Sequence, residues 1–203
     1  VHTLPAAMDV SSQFPQATLD WVVEPAFAPL LRLCPALDGV IEMDLRRWRR
    51  RPWSSESRSA WRRFKQNLQA HEYDWVIDLQ GLSKSALVSY LARTTEKGVR
   101  VAMAHRTDGS SYEAPTRWVA DRCVSVPTHI HAVERARWVC AQALGDSVPK
   151  RVQPGLSRSP DDASTLRQVL CVHGTTCEDK LWPDPHWIEL GHRLLAEGWT
   201  PVF

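Results

Sequence analysis

A chain of 203 residues, 43% hydrophobic and 24% charged, carries enough apolar material to pack a core of one large domain, or one and a part. Its formal net charge of +2 excludes a polyanion binder that works by bulk charge, and no apolar run approaches the roughly 18 residues a membrane span requires. Five cysteines (Cys34, Cys123, Cys140, Cys171, Cys177), without framework spacing and without a visible signal peptide, read as buried free thiols of a reducing cytoplasm.

Helical spacing of Leu4, Ala7, Met8 and Ser11 predicts a helix over residues 1–12, and a helix that starts so early is expected to follow a strand. Strands are predicted at Leu19–Val23 and Val40–Asp44, with a short helix at Ala26–Leu33 between them. Arg46 to Trp53 reads as a loop ended by Pro52. A helix capped by Ser54 or Ser55 then runs to about His71, with Trp61, Phe64 and Leu68 as its apolar stripe. Tyr73–Leu79 reads as a strand buried on both faces at its centre, Ser83–Ala92 as a helix, Gly98–Met103 as a strand and Glu113–Ala120 as a short helix. His131 opens a long helix that Gly145 ends. Residues 146–163 hold three prolines and no periodicity, and read as a linker. Beyond it, Val169–Val172 reads as a buried strand, Asp184 as the cap of a helix with Pro185 at its first position, and Trp199–Phe203 as a strand cut short. Strands alternating with helices, then a linker and a second alternation, predict α/β architecture with parallel sheets: a first domain over 1–145, the linker, and the start of a second domain over 164–203. The opening on Val1 and the truncated last strand read as a piece of a longer protein.

Charge is distributed unevenly. Residues 46–65 hold nine basic side chains (Arg46, Arg47, Arg49, Arg50, Arg51, Arg58, Arg62, Arg63, Lys65) against one acid, Glu56. Like charges at i, i+4 repel, so a nearly unmixed face suggests an anionic partner, against the ordinary alternative of a solvated face. Lys84 in a first helical turn opposes the helix dipole, and is either a surface lysine or a cation facing a ligand. His131 reads equally as a cap or as a donor to an anionic substrate. Between the last strand and the last helix, Thr175, Thr176 and Lys180 suit a diphosphate cradle at a helix N-terminus, with a plain connection bearing a solvated lysine as the alternative. No glycine-rich dinucleotide or P-loop motif and no G-x-S-x-G elbow is present, and Cys171, His173 and Cys177 lack a fourth zinc ligand at suitable spacing.

Several segments together resemble one family. Val1-His2-Thr3-Leu4-Pro5-Ala6 continues an S-x-G-D-x-x-H-T-L-P opening. Tyr73-Asp74-Trp75-Val76-Ile77-Asp78-Leu79-Gln80-Gly81-Leu82, with Lys84 and Ser85, is similar to Y-D-x-V-I-D-x-Q-G-L-x-K-S. His131-Ala132-Val133-Glu134-Arg135 matches H-A-V-E-R, and Thr175, Thr176, Lys180, Trp182, Pro183 and Trp187 match T-T-x-x-x-K-x-W-P-x-x-x-W. These are motifs of the bacterial lipopolysaccharide heptosyltransferases of glycosyltransferase family 9, and Arg46-Arg47-Trp48-Arg49 places the pattern nearest their type I branch. The resemblance implies a GT-B-type fold, with an N-terminal Rossmann-like domain whose first strand is missing and the beginning of a second Rossmann-like domain. It implies inverting, metal-independent transfer of L-glycero-D-manno-heptose from ADP-heptose to Kdo of Kdo2-lipid A, with no cofactor, at the cytoplasmic face of the inner membrane and against its anionic surface.

Carried over residue by residue, Thr175, Thr176 and Lys180 would hold the donor, and Arg62, Arg63, Lys65, Lys84 and His131 the acceptor. The family's catalytic Asp belongs to the G-D two residues before Val1, so no catalytic residue is expected in this chain and the piece alone is expected to be inactive. Where relatives often carry R-E-P, the chain reads Tyr112-Glu113-Ala114-Pro115, without that arginine. Two alternatives remain: another member of the family, such as the type II enzyme, or a nucleic-acid-binding module built on the Arg/Trp-rich stretch. The second is disfavoured because the stretch matches no RNA-binding signature, so no nucleic acid is expected as a partner.

Overall fold

The computed structural model describes residues 2–157, 167–174 and 178–202. The chain divides into two compact units, 1–157 and 158–203.

The first unit begins with α1 (Leu4–Gln13). Then come β1 (Asp20–Val23), a 3-10 turn at Pro25–Phe27, α2 (Ala28–Leu31), β2 (Gly39–Glu42), α3 (Leu45–Arg50) and α4 (Ser55–Leu68). The second half holds β3 (Tyr73–Asp78), α5 (Ser83–Leu91), β4 (Thr94–Met103), α6 (Ala114–Val119), β5 (Arg122–Val124) and α7 (Ala132–Leu144). All pairings are parallel and fall into two sheets, β1–β2 and β3–β4–β5. No strand among the described residues pairs with the remaining edge of β1 or of β3. A side-chain bond bridges these strands instead: the Tyr73 hydroxyl donates to Asp20 Oδ2 at 2.8 Å. The Asp20 carboxylate lies over Gly39, where an added Cβ would come within 2.0 Å of its Oδ1, so a side chain there would have to push Asp20 aside.

Two apolar layers cover the sheets. Ile41, Met43, Phe64, Leu68 and Ala92 form one cluster, joined by Val76 and Val88. Val101, Met103, Val124, Val139 and Ala143 form another, joined by Ile77 and Leu79. α1 meets α7 through Ala6, Ala136 and Cys140. Burial, with the Asp9 carboxylate nearby, pushes the Cys140 thiol up to about 12, so it packs and does not react.

α1 and α7 are clamped by a buried ion pair. Arg137, 2% exposed, donates from Nε to Asp9 Oδ2 at 2.6 Å and from Nη1 to Glu134 Oε1 at 2.9 Å. Its Nη2 donates to the carbonyls of Pro149 and Arg151. Glu134 and Asp9 raise the guanidinium pKa against the desolvation that would lower it. This anchors the segment after α7. Residues 146–157, read from sequence as part of a linker, lie along the first unit: Gly155 sits over Leu4, and Ser157 N donates to the Leu33 carbonyl at 3.1 Å.

Four readings need correction. Arg46–Trp53 is not all loop, because α3 occupies Leu45–Arg50. Asp44 Oδ1 caps it by accepting from Arg47 N at 3.1 Å, and Trp48 packs edge-on to Trp61 (ring centroids 5.5 Å) and against Phe64 (5.6 Å). The centre of β3 is not buried on both faces: Trp75 is 38% exposed, with the Arg122 guanidinium over its ring. In the second unit, β6 (Gln168–Leu170) pairs in parallel with β7 (Thr200–Val202) through α8 (Asp184–Ala196). The strand read as buried ends at Leu170, which is 71% exposed, and Val172 is 77% exposed. Among the described residues a single helix lies on this two-stranded sheet, and it covers one face only. The helix cap is Pro183 rather than Asp184.

The Arg137 clamp makes a prediction. Asp9→Ala leaves a buried guanidinium without its main counter-charge, and should lower unfolding free energy by roughly 3 to 5 kcal/mol. Asp9→Leu combined with Arg137→Met should cost less than Asp9→Ala alone. Denaturant unfolding curves measure both; a single variant as stable as the wild type would show that the pair is no clamp.

Candidate functional site at the carboxyl edge of the first sheets

In a parallel sheet, the loops that leave the carboxyl ends of the strands converge on one edge, where ligands of α/β proteins bind. In the first unit this edge collects Glu24 after β1, Asp44 and Arg46 after β2, the Asp78–Ser85 turn after β3, and His131 at the head of α7.

The turn after β3 is the most elaborated. Asp78, 5% exposed, ends the strand, and its Oδ1 accepts from Gln80 N at 2.8 Å and Gly81 N at 3.0 Å. Ser85 Oγ accepts from Leu82 N and lies 3.0 Å from Asp78 Oδ2, which fastens the first turn of α5 to the same carboxylate. Gly81 has φ +70°, and a Cβ there would press on the Ser111 carbonyl at 3.0 Å and Met103 Cε at 3.2 Å. The Gly81 carbonyl in turn accepts from Glu113 N, and the Glu113 carboxylate accepts from both the Ser83 amide and the Ser83 hydroxyl. Where the resemblance led one to look for an arginine, Glu113 therefore ties the neighbouring loop to α5. Those hydrogen bonds hold its carboxyl below the usual range.

This scaffold sets the position of Lys84. Its ammonium does not stand free, but donates to Glu24 Oε1 at 3.0 Å, with both side chains about 30% exposed. The hydrogen bond to Lys84 is the main cause that holds the Glu24 carboxyl below 4.5, with smaller help from the charges of Lys84 and Arg46 and against some desolvation. Glu24, Lys84 and Arg46 thus form one charged group, contributed by the ends of three different strands. His131 is exposed and caps α7: its Nδ1 accepts from Val133 N at 3.3 Å, which leaves Nε2 to carry the proton of the neutral ring.

Arg62, Arg63 and Lys65 lie exposed on the second half of α4, and their side chains make no hydrogen bond or ion pair to the described residues. The structure therefore links Lys84 to the sheet edge but does not join it to these three. Glu24, Asp78 and Glu113 were missed from the sequence. The available signals were a carboxylate at a strand end before Pro25 and the D-x-Q-G spacing of an Asx turn.

In the second unit, Thr175 and Thr176 lie outside the described residues. Lys180 ends a 3-10 turn, Glu178–Lys180, is exposed, and has no ion-pair partner among the described residues. It precedes a block of rings at the start of α8: Trp182 stacks on His186 at 5.4 Å and meets Trp187 edge-on at 4.8 Å. Cys177 also lies outside the described residues. Among the described residues no group of three or more His, Cys, Asp or Glu is placed to hold a metal, and no helix is long and apolar enough to cross a membrane.

Two outcomes are expected. Lys84→Met should return the Glu24 carboxyl toward 4.5 in an NMR carboxyl titration, because its main stabilising partner is gone. The Glu24 contribution to stability is present above 4.5 and is lost as pH falls through the lower folded value. Asp78 behaves oppositely. Desolvation raises its pKa above 3.8 despite hydrogen bonds from Gly81, Gln80 and Ser85, so its contribution is full below 3.8 and declines as pH rises through the folded value. Asp78→Asn should keep the turn and flatten that decline, while Asp78→Ala should cost roughly 1 to 3 kcal/mol for each amide left without an acceptor. Unfolding curves across the acidic range test both variants.

The family model for glycosyltransferase family 9 (heptosyltransferase) matches residues 61–203. Lipopolysaccharide heptosyltransferase 1 of Pseudomonas aeruginosa is 38% identical over 209 residues, covering 98% of this chain and 56% of that protein. The solved Escherichia coli heptosyltransferase WaaC with ADP superposes with a TM-score of 0.84 at 33% identity, over 100% of this chain and 63% of that one. Escherichia coli ADP-heptose lps heptosyltransferase II, at 20% identity and TM-score 0.68 over 98% of this chain and 59% of that one, shares the fold. The α/β architecture with parallel sheets is thus that of GT-B glycosyltransferases. The chain spans somewhat more than half the length of these relatives.

Proposed function

The chain belongs to glycosyltransferase family 9, and from that premise we propose that a protein carrying it transfers L-glycero-D-manno-heptose from ADP-heptose to Kdo of Kdo2-lipid A, with inversion and without a metal or cofactor. The observation that carries the reading is the likeness, over the whole chain, to a heptosyltransferase solved with ADP. The lower identity to the type II enzyme, 20% against 33%, favours the type I acceptor. No observation favours the nucleic-acid reading.

The geometry supports a division of labour. In the second unit, Lys180 brings an ammonium with no counter-ion among the described residues to the foot of α8, where it would hold the donor diphosphate with Thr175 and Thr176 and offset the charge that develops on departing ADP. In the first unit, Lys84 and His131 would face the acceptor sugar, and Arg62, Arg63 and Lys65 its phosphates and carboxylates. The acceptor hydroxyl loses its proton to a base and attacks the anomeric carbon, and the bond from that carbon to the diphosphate oxygen breaks with its electrons passing to ADP. Each carboxylate described at the sheet edge is already engaged: Asp78 with Gln80, Gly81 and Ser85, Glu24 with Lys84, Asp44 with Arg47 N, and Glu113 with Ser83. The reading assigns the base to an aspartate outside this chain, and the site of action to the cytoplasmic face of the inner membrane.

The test is an ADP-release assay on a full-length protein that contains this chain, with ADP-heptose and Kdo2-lipid A. Lys180→Ala should lower kcat by about 100- to 1000-fold, as for loss of one preorganised charge-stabilising group. Lys84→Ala should raise the acceptor KM about tenfold or more. A chelator should leave turnover unchanged. Failure to turn over ADP-heptose, or loss of turnover on chelation, would sink the reading; turnover only with an already heptosylated acceptor would move it to the type II reaction.

A further inference from the structure

Glu24, Arg46 and Lys84 differ in how firmly they are held. Lys84 is fixed from both sides, because Ser83 is tied to Glu113 and Ser85 to Asp78. Glu24 has a fixed backbone: Pro25 follows it, and Phe27 N donates to its carbonyl at 3.0 Å. Its carboxylate is freer, with Lys84 as its one hydrogen-bond partner among the described residues. Arg46, exposed in the first turn of α3, makes no side-chain hydrogen bond or ion pair to the described residues. It is nevertheless near: the Lys84 hydrogen bond holds the Glu24 carboxyl below 4.5, and the Arg46 charge adds to it. Asp44, the acid nearest to Arg46 in sequence, is engaged in capping α3. In this group two cations share one carboxylate, which leaves charge for one more.

We propose that Glu24 is a positioning residue for the acceptor: it occupies Lys84 in place of the acceptor's carboxylate, and passes to Arg46 when that carboxylate arrives. The hand-over rests on the reading that Lys84 faces an acid sugar. An ammonium without a partner at a partly desolvated edge is costly, and Glu24 removes that cost before a ligand binds. A neutral ligand does not draw Glu24 away, because Lys84 would lose a charged partner and gain none. A carboxylate does, because it replaces Glu24 on Lys84 like for like. The released Glu24 then meets a second cation, Arg46, and without that cation the two carboxylates would compete for one ammonium. An ion pair that served only to hold β1 to α5 would need neither Arg46 nor access for a ligand.

The experiment titrates a full-length protein that contains this chain with the monosaccharide Kdo, which carries the carboxylate, and with its methyl ester, which does not, and follows binding by NMR. Glu24→Gln should tighten Kdo binding about fivefold, the worth of a partly exposed ion pair that no longer competes. The ester should bind the wild type and this variant alike. Arg46→Gln should weaken Kdo binding about threefold, and should have no effect once Glu24 is replaced by Gln, because Arg46 acts through Glu24. Both replacements are close in size to the native side chains, and circular dichroism matching the wild type confirms folding. No Kdo binding by any of these proteins, unchanged or weaker binding by Glu24→Gln, equal tightening of the ester, or an Arg46→Gln effect that persists beside Glu24→Gln, would overturn the hand-over. A merely structural ion pair gives the second of these outcomes, and direct contact of Arg46 with the sugar gives the last. Turnover of ADP-heptose is a separate measurement: its absence would remove the reading under which Kdo is the acceptor sugar, while the Kdo titration still decides the hand-over.

Discussion

The first unit depends on one buried cation. Arg137 is placed where all of its donors find oxygen: one carboxylate on α1, one on its own helix, and two carbonyls from the segment that follows. A guanidinium in an apolar setting is tolerated only with such complete partnership. Its consequence is geometric. The helix that opens the chain, the helix that closes the unit and the strap at Pro149–Arg151 cannot move independently, and α7 is the helix whose first turn carries His131 at the sheet edge. Beneath it lie two sheets joined by the Tyr73–Asp20 bond and by shared apolar layers.

The charged edge shows a different use of the same chemistry. Asp78 turns its carboxylate inward to organise backbone, and Glu24 turns its own outward to hold a lysine. The contrast follows from burial. Asp78 is enclosed, so desolvation dominates and its pKa rises; Glu24 keeps partial access to water, so the hydrogen bond to Lys84 dominates and its pKa falls. The Lys84 ammonium therefore meets any anionic ligand already partnered, and a ligand must share or displace Glu24.

The alternation of strands and helices was legible in the sequence because its signals are local: the apolar stripe of α4, the Gly145 stop after α7, and the parallel order implied by strand–helix alternation. What escaped was set by distant contacts. Arg46–Trp53 carries a helix because Trp48 finds Trp61 and Phe64 some thirteen to sixteen residues away, a contact no periodicity within six residues can reveal. The strand after the linker looked buried because its composition is apolar, but apolar composition cannot say how many faces will be covered. Of the candidate site, the lysines and the histidine could be picked out by residue type and motif. Their partners could not: the Lys84–Glu24 pair spans sixty positions, and the Glu113–Ser83 contact thirty.

The aromatic lock on α3 also changes which residues should govern affinity for anions. An arginine on a floppy loop must be ordered each time a ligand arrives, and that entropic cost comes out of the binding free energy. On α3 the backbone is ordered once, when the protein folds, by indole and phenyl rings that touch no charge. Trp48 is then a determinant of ligand affinity at second hand. Natural variation at this apolar position would retune all the α3 arginines at once while every one of them stayed in place.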